Sequence, residues 1–497
     1  MLPSHPILTC DEARDLEKRI FADDEAAEWA AMQQAGAAVA TAALRDFEEI
    51  GGFPPDGRVL VLVGKGHNGG DALIAARHVL EKYPQATADV VFVFGERSLR
   101  PLAARAWRSG FETSRERWTR IEADLGRGQR SGPTYDLCFD GIFGFQFRPP
   151  VDQRVQALIE HVNTLPIRLR AAVDLPSAGL FRADFTYATG SVKAPIVDDA
   201  HAGRLRYLDL GFFPREVPGE RRVLTPAVLA PFAALRPARS DKRDYGQLIV
   251  VGGSRSYPGA VLMSVLAALR SGAGLVTAFV PEPLVAAYAA RAPEAMWVGC
   301  PETPDGGLAL EALHLIRARI ERATALAIGP GLGREPETLA LVGEILKLAH
   351  LPAVLDADAL QPDVVRATKV QLVLTPHAGE FKRIAGDATL EQFVAETGAT
   401  VILKGPVTRI AHDATVYHSF YGGPVLARGG SGDLLAGITG CMLAQTPGDP
   451  LLAAARGVVW HGLAADALAR AEGQVAVTTT QVLDFLPAAL REAAPVR

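Results

Sequence analysis

Apolar positions along this chain recur in two rhythms. One is helical: Trp29, Met32, Ala35 and Val39 lie three and four apart in an alanine-rich stretch, which predicts helix over residues 9–47. The other is a short unbroken apolar run ending in Gly, Asp, Pro or His. Residues 59–63 (VLVLV) are the first such run, followed by a glycine loop and a helical stretch to residue 80; residues 90–95, 137–139 and 171–173 repeat the plan. Runs without alternation predict strands buried on both faces, as in a parallel sheet under helices. Strands alternating with helices predict a doubly wound α/β domain, whose ligands sit outside the carboxyl ends of the strands.

Between residues 213 and 240 the rhythm stops. Pro214, Pro218, Pro226, Pro231 and Pro237 recur among scattered charges with no strand pattern, which predicts an interdomain segment. The strand rhythm resumes at 248–251 and 275–280, and again within 325–333, 352–360, 372–381 and 400–408, with a short strand at 416–419. Residues 260–269 are apolar all round and predict a buried helix. Leu434, Ile438 and Met442 predict a helix opened by Asp433, and 453–470 predict another. The expectation is two doubly wound α/β domains, residues 1–220 and 241–497, joined by a linker at 221–240.

Bulk properties narrow the classes of function. A chain of 497 residues is too long for one ordinary core. Its 48% hydrophobic and 22% charged content is that of a soluble globular protein. A net charge of −5 gives no reason to expect nucleic acid or an anionic membrane as partner. Cys10, Cys138, Cys300 and Cys441 are far apart, which argues against a zinc site or disulfide framework and suits a cytoplasmic location. There is no signal-peptide pattern and no apolar run long enough to span a bilayer.

The candidate chemistry lies at strand ends. The loop 426–438 (LARGGSGDLLAGI) has four glycines within nine residues, then Asp433 at the mouth of a helix. A glycine loop that turns into a helix presents free N–H groups and a positive dipole end, which suit phosphate. A carboxylate there is repelled by phosphate and better placed to take a proton from an attacking hydroxyl. The bland alternative is an Asp N-cap. Gly331, Asp356, Asp358, His377, Lys404 and Thr408 stand at the other strand ends of this half. Lys404, Gly405 and Thr408 offer a charge, a close backbone and a hydroxyl to phosphate oxygens. Asp356 can hold Mg²⁺ through water. His377 can orient a substrate, relay a proton, or merely cap a turn. In the first half, His67, Asn68, Gly69, Gly70 and Asp71 form one strand-end set; residues 140–147, and Asp174 with Ser177, form two more. Their convergence fits a switch-point site, with turn capping the bland reading for Asp140 and Asp174. Read from its residues, the chain is a nucleotide-dependent enzyme acting on an alcohol, with Asp433 as base.

The motifs VVGGS with YPGA, GPGLG, VLDADAL, LTPHAGEF, LKGPVT and GGSGDLLAGI occur in the order seen in the ribokinase-like NAD(P)H-hydrate dehydratases, and residues 241–487 resemble that family. MQQAGAAVA, GKGHNGGD, FDGIFGF and VDLPS resemble the Rossmann-like NAD(P)H-hydrate epimerase domain. The resemblance implies repair of hydrated NADH and NADPH, small-molecule substrates that the second half would dehydrate and the first half would epimerise. It implies Asp433 and Asp174 as proton-transfer groups, and Ala260, Gly331 and His377 as contacts to the hydrated dinucleotide. It implies Lys404, Gly405, Pro406, Val407, Thr408 and Gly432 around ADP, the better match for bacterial fused members, or ATP. In the first half it implies His67, Asn68, Gly69, Gly70, Asp71, Gly144, Phe145, Gln146, Phe147 and Arg148 as substrate contacts. Asn68, Asp140 and Ser177 would ligate K⁺, and the protein would self-associate. This half departs from the family pattern at His67, at Ala178 and in FGFQFRPP, so an active epimerase and a non-catalytic binding module both remain open for it. A small-alcohol kinase of the ribokinase-like group is the competing reading of the second half.

Overall fold

The computed structural model describes residues 2–22, 24–122 and 134–493. The chain forms two compact units; most of the first lies within residues 5–218, and most of the second within 219–469 and 475–493.

The first unit is a seven-stranded, wholly parallel sheet. Its spatial order is Trp118–Arg120, Thr87–Phe92, Arg58–Val63, Tyr135–Gly141, Ile167–Val173, Phe185–Thr189 and Arg204–Leu208. Strand order reverses direction at Arg58–Val63, so the switch point lies between that strand and Tyr135–Gly141. The expected helix over 9–47 is two helices, α1 (Cys10–Phe21) and α2 (Glu25–Phe47), because Ala22 takes a left-handed conformation and Asp24 caps a fresh helix with its carboxylate. Helix α3 (His67–Lys82) packs closely on α2: a Cβ on Gly36 would lie 2.5 Å from Ile74 Cγ2 and 2.9 Å from the Asp71 carbonyl oxygen. That approach is the structural content of the MQQAGAAVA motif. Apolar clusters cover both faces of the sheet, which is why its central strands show no alternation.

The second unit is also doubly wound. Seven parallel strands run Met296–Cys300, Leu275–Pro281, Gln247–Val251, Ala325–Ile328, Ala353–Leu355, Leu372–Leu374 and Thr400–Leu403. Thr408–His412 and Thr415–Ser419 follow antiparallel, and Arg221–Leu224 pairs with the latter in parallel. The proline-rich stretch 213–240, expected to hold no strand, therefore contributes one to this sheet. Its prolines then shape a 3-10 helix, Pro226–Ala233. Helix α4 (Pro258–Arg270) and helix α5 (Ser431–Gln445) pack against each other, and every residue from Leu434 to Ala444 is buried. A Cβ on Gly437 would lie 2.1 Å from the Ser264 carbonyl oxygen, so no larger residue fits this crossing. Among the described residues no helix is long and apolar enough to cross a membrane.

Candidate active sites at the strand carboxyl ends

In the second unit, Gly430 turns the loop into α5 in a left-handed conformation (φ 91°), where glycine costs least. The N-cap is Gly430, and Asp433 sits three residues into the helix, so the bland N-cap reading of Asp433 does not hold. The Asp433 backbone carbonyl accepts from Ser264 Oγ at 2.8 Å, which ties the start of α5 to α4. Neighbouring strand ends converge here. Lys404 Nζ lies 3.1 Å from Asp356 Oδ1 and 3.8 Å from Glu380 Oε2. Asp356 is 2% exposed, and its Oδ1 also accepts from Thr375 Oγ1 at 2.7 Å. A Cβ on Gly432 would stand 3.1 Å from Lys404 Nζ and 3.9 Å from Asp356 Oδ2, so this position brings the loop backbone onto the ion pair. Burial, then the neighbouring Asp356, raise the Asp433 carboxyl to about 7, while Lys404 pulls it down.

His377 joins the cluster through its backbone, which pairs with Lys404 as an isolated parallel bridge. Its Nδ1 accepts from the N–H groups of Gly379 and Glu380 at 3.0 and 3.3 Å, so the capping role is real. The exposed ring leaves Nε2 3.4 Å from Glu380 Oε1. Ala260 and Gly331 meet one another: a Cβ on Gly331, itself at φ 71°, would lie 3.1 Å from the Ala260 methyl. Gly405, Pro406 and Val407 form the bend after strand Thr400–Leu403, and Thr408 opens the antiparallel return. Asp358 is engaged elsewhere, 2.7 Å from Arg334 Nε. Glu380 was not singled out by its sequence, although TPHAGEF places it three residues after His377, the spacing of a capping box.

In the first unit a cavity of about 660 Å³ opens at the switch point. Its wall includes His67, Asn68, Asp71, Gly144, Phe145, Gln146, Phe147 and Asp174. Gly69 and Gly70 serve packing: their Cβ atoms would lie 2.4 Å from the Gly64 carbonyl oxygen and 2.7 Å from Met32 Sδ. Arg148 is not part of the cavity lining; its guanidinium donates to the Phe147 carbonyl at 3.1 Å and lies 3.2 Å from Asp11 Oδ1. Asn68 Nδ2 donates to the carbonyls of Phe143 and Val173, both at 2.8 Å. Asp140 is fully buried and accepts from Ser177 Oγ (2.6 Å), Ser177 N (2.8 Å) and Ile142 N (3.3 Å). Burial raises its carboxyl to about 6 against the pull of those bonds. Among the described residues no basic side chain is ion-paired with it. Ala178, the departure from the family pattern, sits at φ 57°, a left-handed conformation that costs a non-glycine residue ~1–2 kcal/mol.

Asp174 is itself left-handed (φ 66°) and lies 2.5 Å from Lys193 Nζ. Both are nearly sealed from solvent, at 4% and 1% exposure. Lys193 also donates to the Thr189 carbonyl and stands 5.1 Å from the centre of the Phe145 ring. Neither Lys193 nor Glu17, which lines the same cavity from α1, carries a sequence pattern that marks it as functional.

Fold and sites together define a protein of two doubly wound α/β units, each with acidic side chains gathered at strand carboxyl ends. A family model described as NAD(P)H-hydrate dehydratase matches residues 248–488, and one described as YjeF-related protein N-terminus matches 29–197. The bifunctional NAD(P)H-hydrate repair enzyme Nnr of Moorella thermoacetica is 35% identical, the match covering 93% of this chain and 92% of that protein. Its namesake in Gloeobacter violaceus is 36% identical over 96% of each. Among solved structures, a ribokinase-like superfamily protein from Enterococcus faecalis is 29% identical, with a TM-score of 0.49, over 57% of this chain and 99% of that one. The chain belongs to the bifunctional NAD(P)H-hydrate repair enzymes.

Proposed function

We propose that this protein restores hydrated NADH and NADPH, and that its second unit does so by phosphorylating and then dehydrating the S epimer with ADP. The observation that carries the reading is Asp433, a carboxyl raised to about 7 beside a Lys404–Asp356 pair at the mouth of a helix. At neutral pH such a group exists in both forms and can accept a proton reversibly. Asp433 takes the hydroxyl proton of the hydrate, and the freed oxygen attacks the terminal phosphorus of ADP, displacing AMP. Loss of the adjacent ring C–H proton then re-forms the double bond, and phosphate departs with the C–O electron pair. Lys404, the 405–408 bend and the α5 amides beside Gly432 hold the nucleotide and spread the developing phosphate charge. Ala260, Gly331 and His377 contact the hydrated ring. Asp356 Oδ1 is occupied by Thr375 and Lys404, while Oδ2 faces Gly432; that suits a Mg²⁺ ion retaining most of its water. Bound there, the ion would neutralise phosphate charge.

The first unit interconverts the R and S epimers, with Asp174 as a proton-transfer group. Asn68, Asp140 and Ser177 suit K⁺: among the described residues the buried Asp140 carboxylate has no basic ion-pair partner, it is bonded to the Ser177 hydroxyl, and Asn68 would add an amide oxygen, all hard donors. The ion would neutralise Asp140. Self-association and a cytoplasmic location go with this reading.

The deciding experiment incubates the protein with S-NADH hydrate and ADP or ATP in parallel. Recovery of intact NADH with release of phosphate is the expected result, faster with ADP. A stable phosphorylated alcohol would favour the small-alcohol kinase reading instead.

A further inference from the structure

We propose that Glu17 is the second proton-transfer group of the first unit, acting across the cavity from Asp174, and that Lys193 is a positioning residue that holds Asp174 by one carboxylate oxygen. This rests on the epimerase reading of that unit.

The geometry separates the two carboxyls by role. Lys193 Nζ, Thr189 N and Thr189 Oγ1 all bond to Asp174 Oδ1, at 2.5, 3.3 and 3.4 Å. Among the described residues Oδ2 of Asp174 has no hydrogen bond, and the residue lines the cavity. A carboxylate anchored through one oxygen by a buried ammonium, with the other open, is prepared to accept a proton. Glu17 reaches the same cavity from α1, which is fixed by its Thr9–Glu12 capping box and by buried Ala13 and Leu16. It has no hydrogen bond or ion pair among the described residues. The charged groups that face it are Lys193 and Asp174, together with Glu28 from α2. Asp71 on α3 lies within range of Glu17, Asp174 and Lys193 alike. Arg14 and Lys18, on its own helix, with Lys65, His67 and Arg100, are the other titratable groups of the cavity wall. Burial, opposed by Lys193 and reinforced by Asp174, raises Glu17 to about 7, so at neutral pH it can hold a proton to give.

Inverting the hydrate needs such a pair. Water added to an enamine leaves its hydroxyl on the ring carbon bonded to nitrogen, and the epimers differ at that carbon. Glu17 gives its proton to this hydroxyl, the C–O bond breaks with its electron pair, and water leaves. The ring nitrogen lone pair forms the C=N⁺ bond, stabilised by the carboxylates around it. A water then adds to the opposite face and gives a proton to Asp174 Oδ2. One water leaves and one enters, nothing is oxidised, and solvent returns the proton to Glu17.

The test uses the full-length protein without adenine nucleotide, so that dehydration is silent, and resolved R-NADH hydrate in ¹⁸O-labelled water. Wild type is expected to equilibrate the epimers with uptake of ¹⁸O at each inversion. Glu17→Gln is expected to lower kcat about 10²-fold or more with KM within twofold, and to remove the limb of the pH profile near pH 7. Glu17→Asp recovers part of the rate. Lys193→Met is expected to lower kcat with KM within twofold, and Lys193→Arg to restore part of the rate, a pattern that a purely structural role would not give. If wild type inverts the hydrate and Glu17→Gln matches it within twofold, or fails only through KM, the proposal is overturned and the epimerase reading stands. Inversion with full retention of oxygen overturns the C–O cleavage step. If wild type does not invert the hydrate, the epimerase reading itself falls, and the proposal with it.

Discussion

Replacing Asp433 by asparagine should cripple catalysis and stabilise the fold, and the second effect should depend on pH. An ordinary aspartate ionises near 3.8, whereas burial and the neighbouring Asp356 raise Asp433 to about 7 in the folded chain. Between those values the native state holds a proton that the unfolded chain has released. Stability therefore falls as pH rises through that window, and the loss is complete above about 7. The difference corresponds to ~4 kcal/mol of penalty on the ionised form, or ~2–4 kcal/mol after allowing for the side chain's partial contact with solvent. The amide of the Asp433→Asn variant cannot ionise and escapes that penalty. Thermal unfolding of the two proteins should give nearly equal midpoints near pH 4. The gap should open steadily above that and reach roughly 2 °C or more per kcal/mol by pH 8, with the variant higher. Turnover with hydrated NADH and ADP should fall ~10²–10⁴-fold while ADP binding persists. A variant no more stable than wild type at pH 8, or a gap that does not change with pH, would refute the electrostatic reasoning. Loss of ADP binding would make Asp433 a structural residue.

Lys193→Met leaves Asp174 buried without its cation, and should cost ~3–5 kcal/mol in denaturant unfolding of the first unit; removing both charges together should cost less. Gly437→Ala forces a methyl against the Ser264 backbone, where space is 2.1 Å. It should destabilise the second unit by ~1–3 kcal/mol in the same assay and lower dehydration, although Gly437 is buried away from the reacting groups. Exchanging K⁺ for a bulky organic cation should lower the thermal midpoint of the first unit in wild type, and Asp140→Asn should remove that sensitivity.

The alternation of apolar runs with glycine loops made both doubly wound units legible, because strands buried on both faces leave an unbroken run. What escaped was set by single residues. Ala22 breaks the first helix by adopting a left-handed conformation that its sequence context does not announce. Arg221–Leu224 became a strand because Thr415–Ser419 offers it an open edge, which a proline count cannot reveal. Asp356, Lys404, Gly432 and Asp433 were readable because each closes its own strand or loop. Lys193 and Glu17 were not: one ends the two-residue strand Val192–Lys193, nineteen residues after its partner, and the other sits in an ordinary charged helix. Only tertiary structure makes neighbours of them.

The helix that carries Asp433 is sealed from Leu434 to Ala444. Evolution therefore has little room along it. A change in its small residues would tilt the whole rod and swing its reactive tip off target, so new specificity is more easily reached through the outer loops than along this axle.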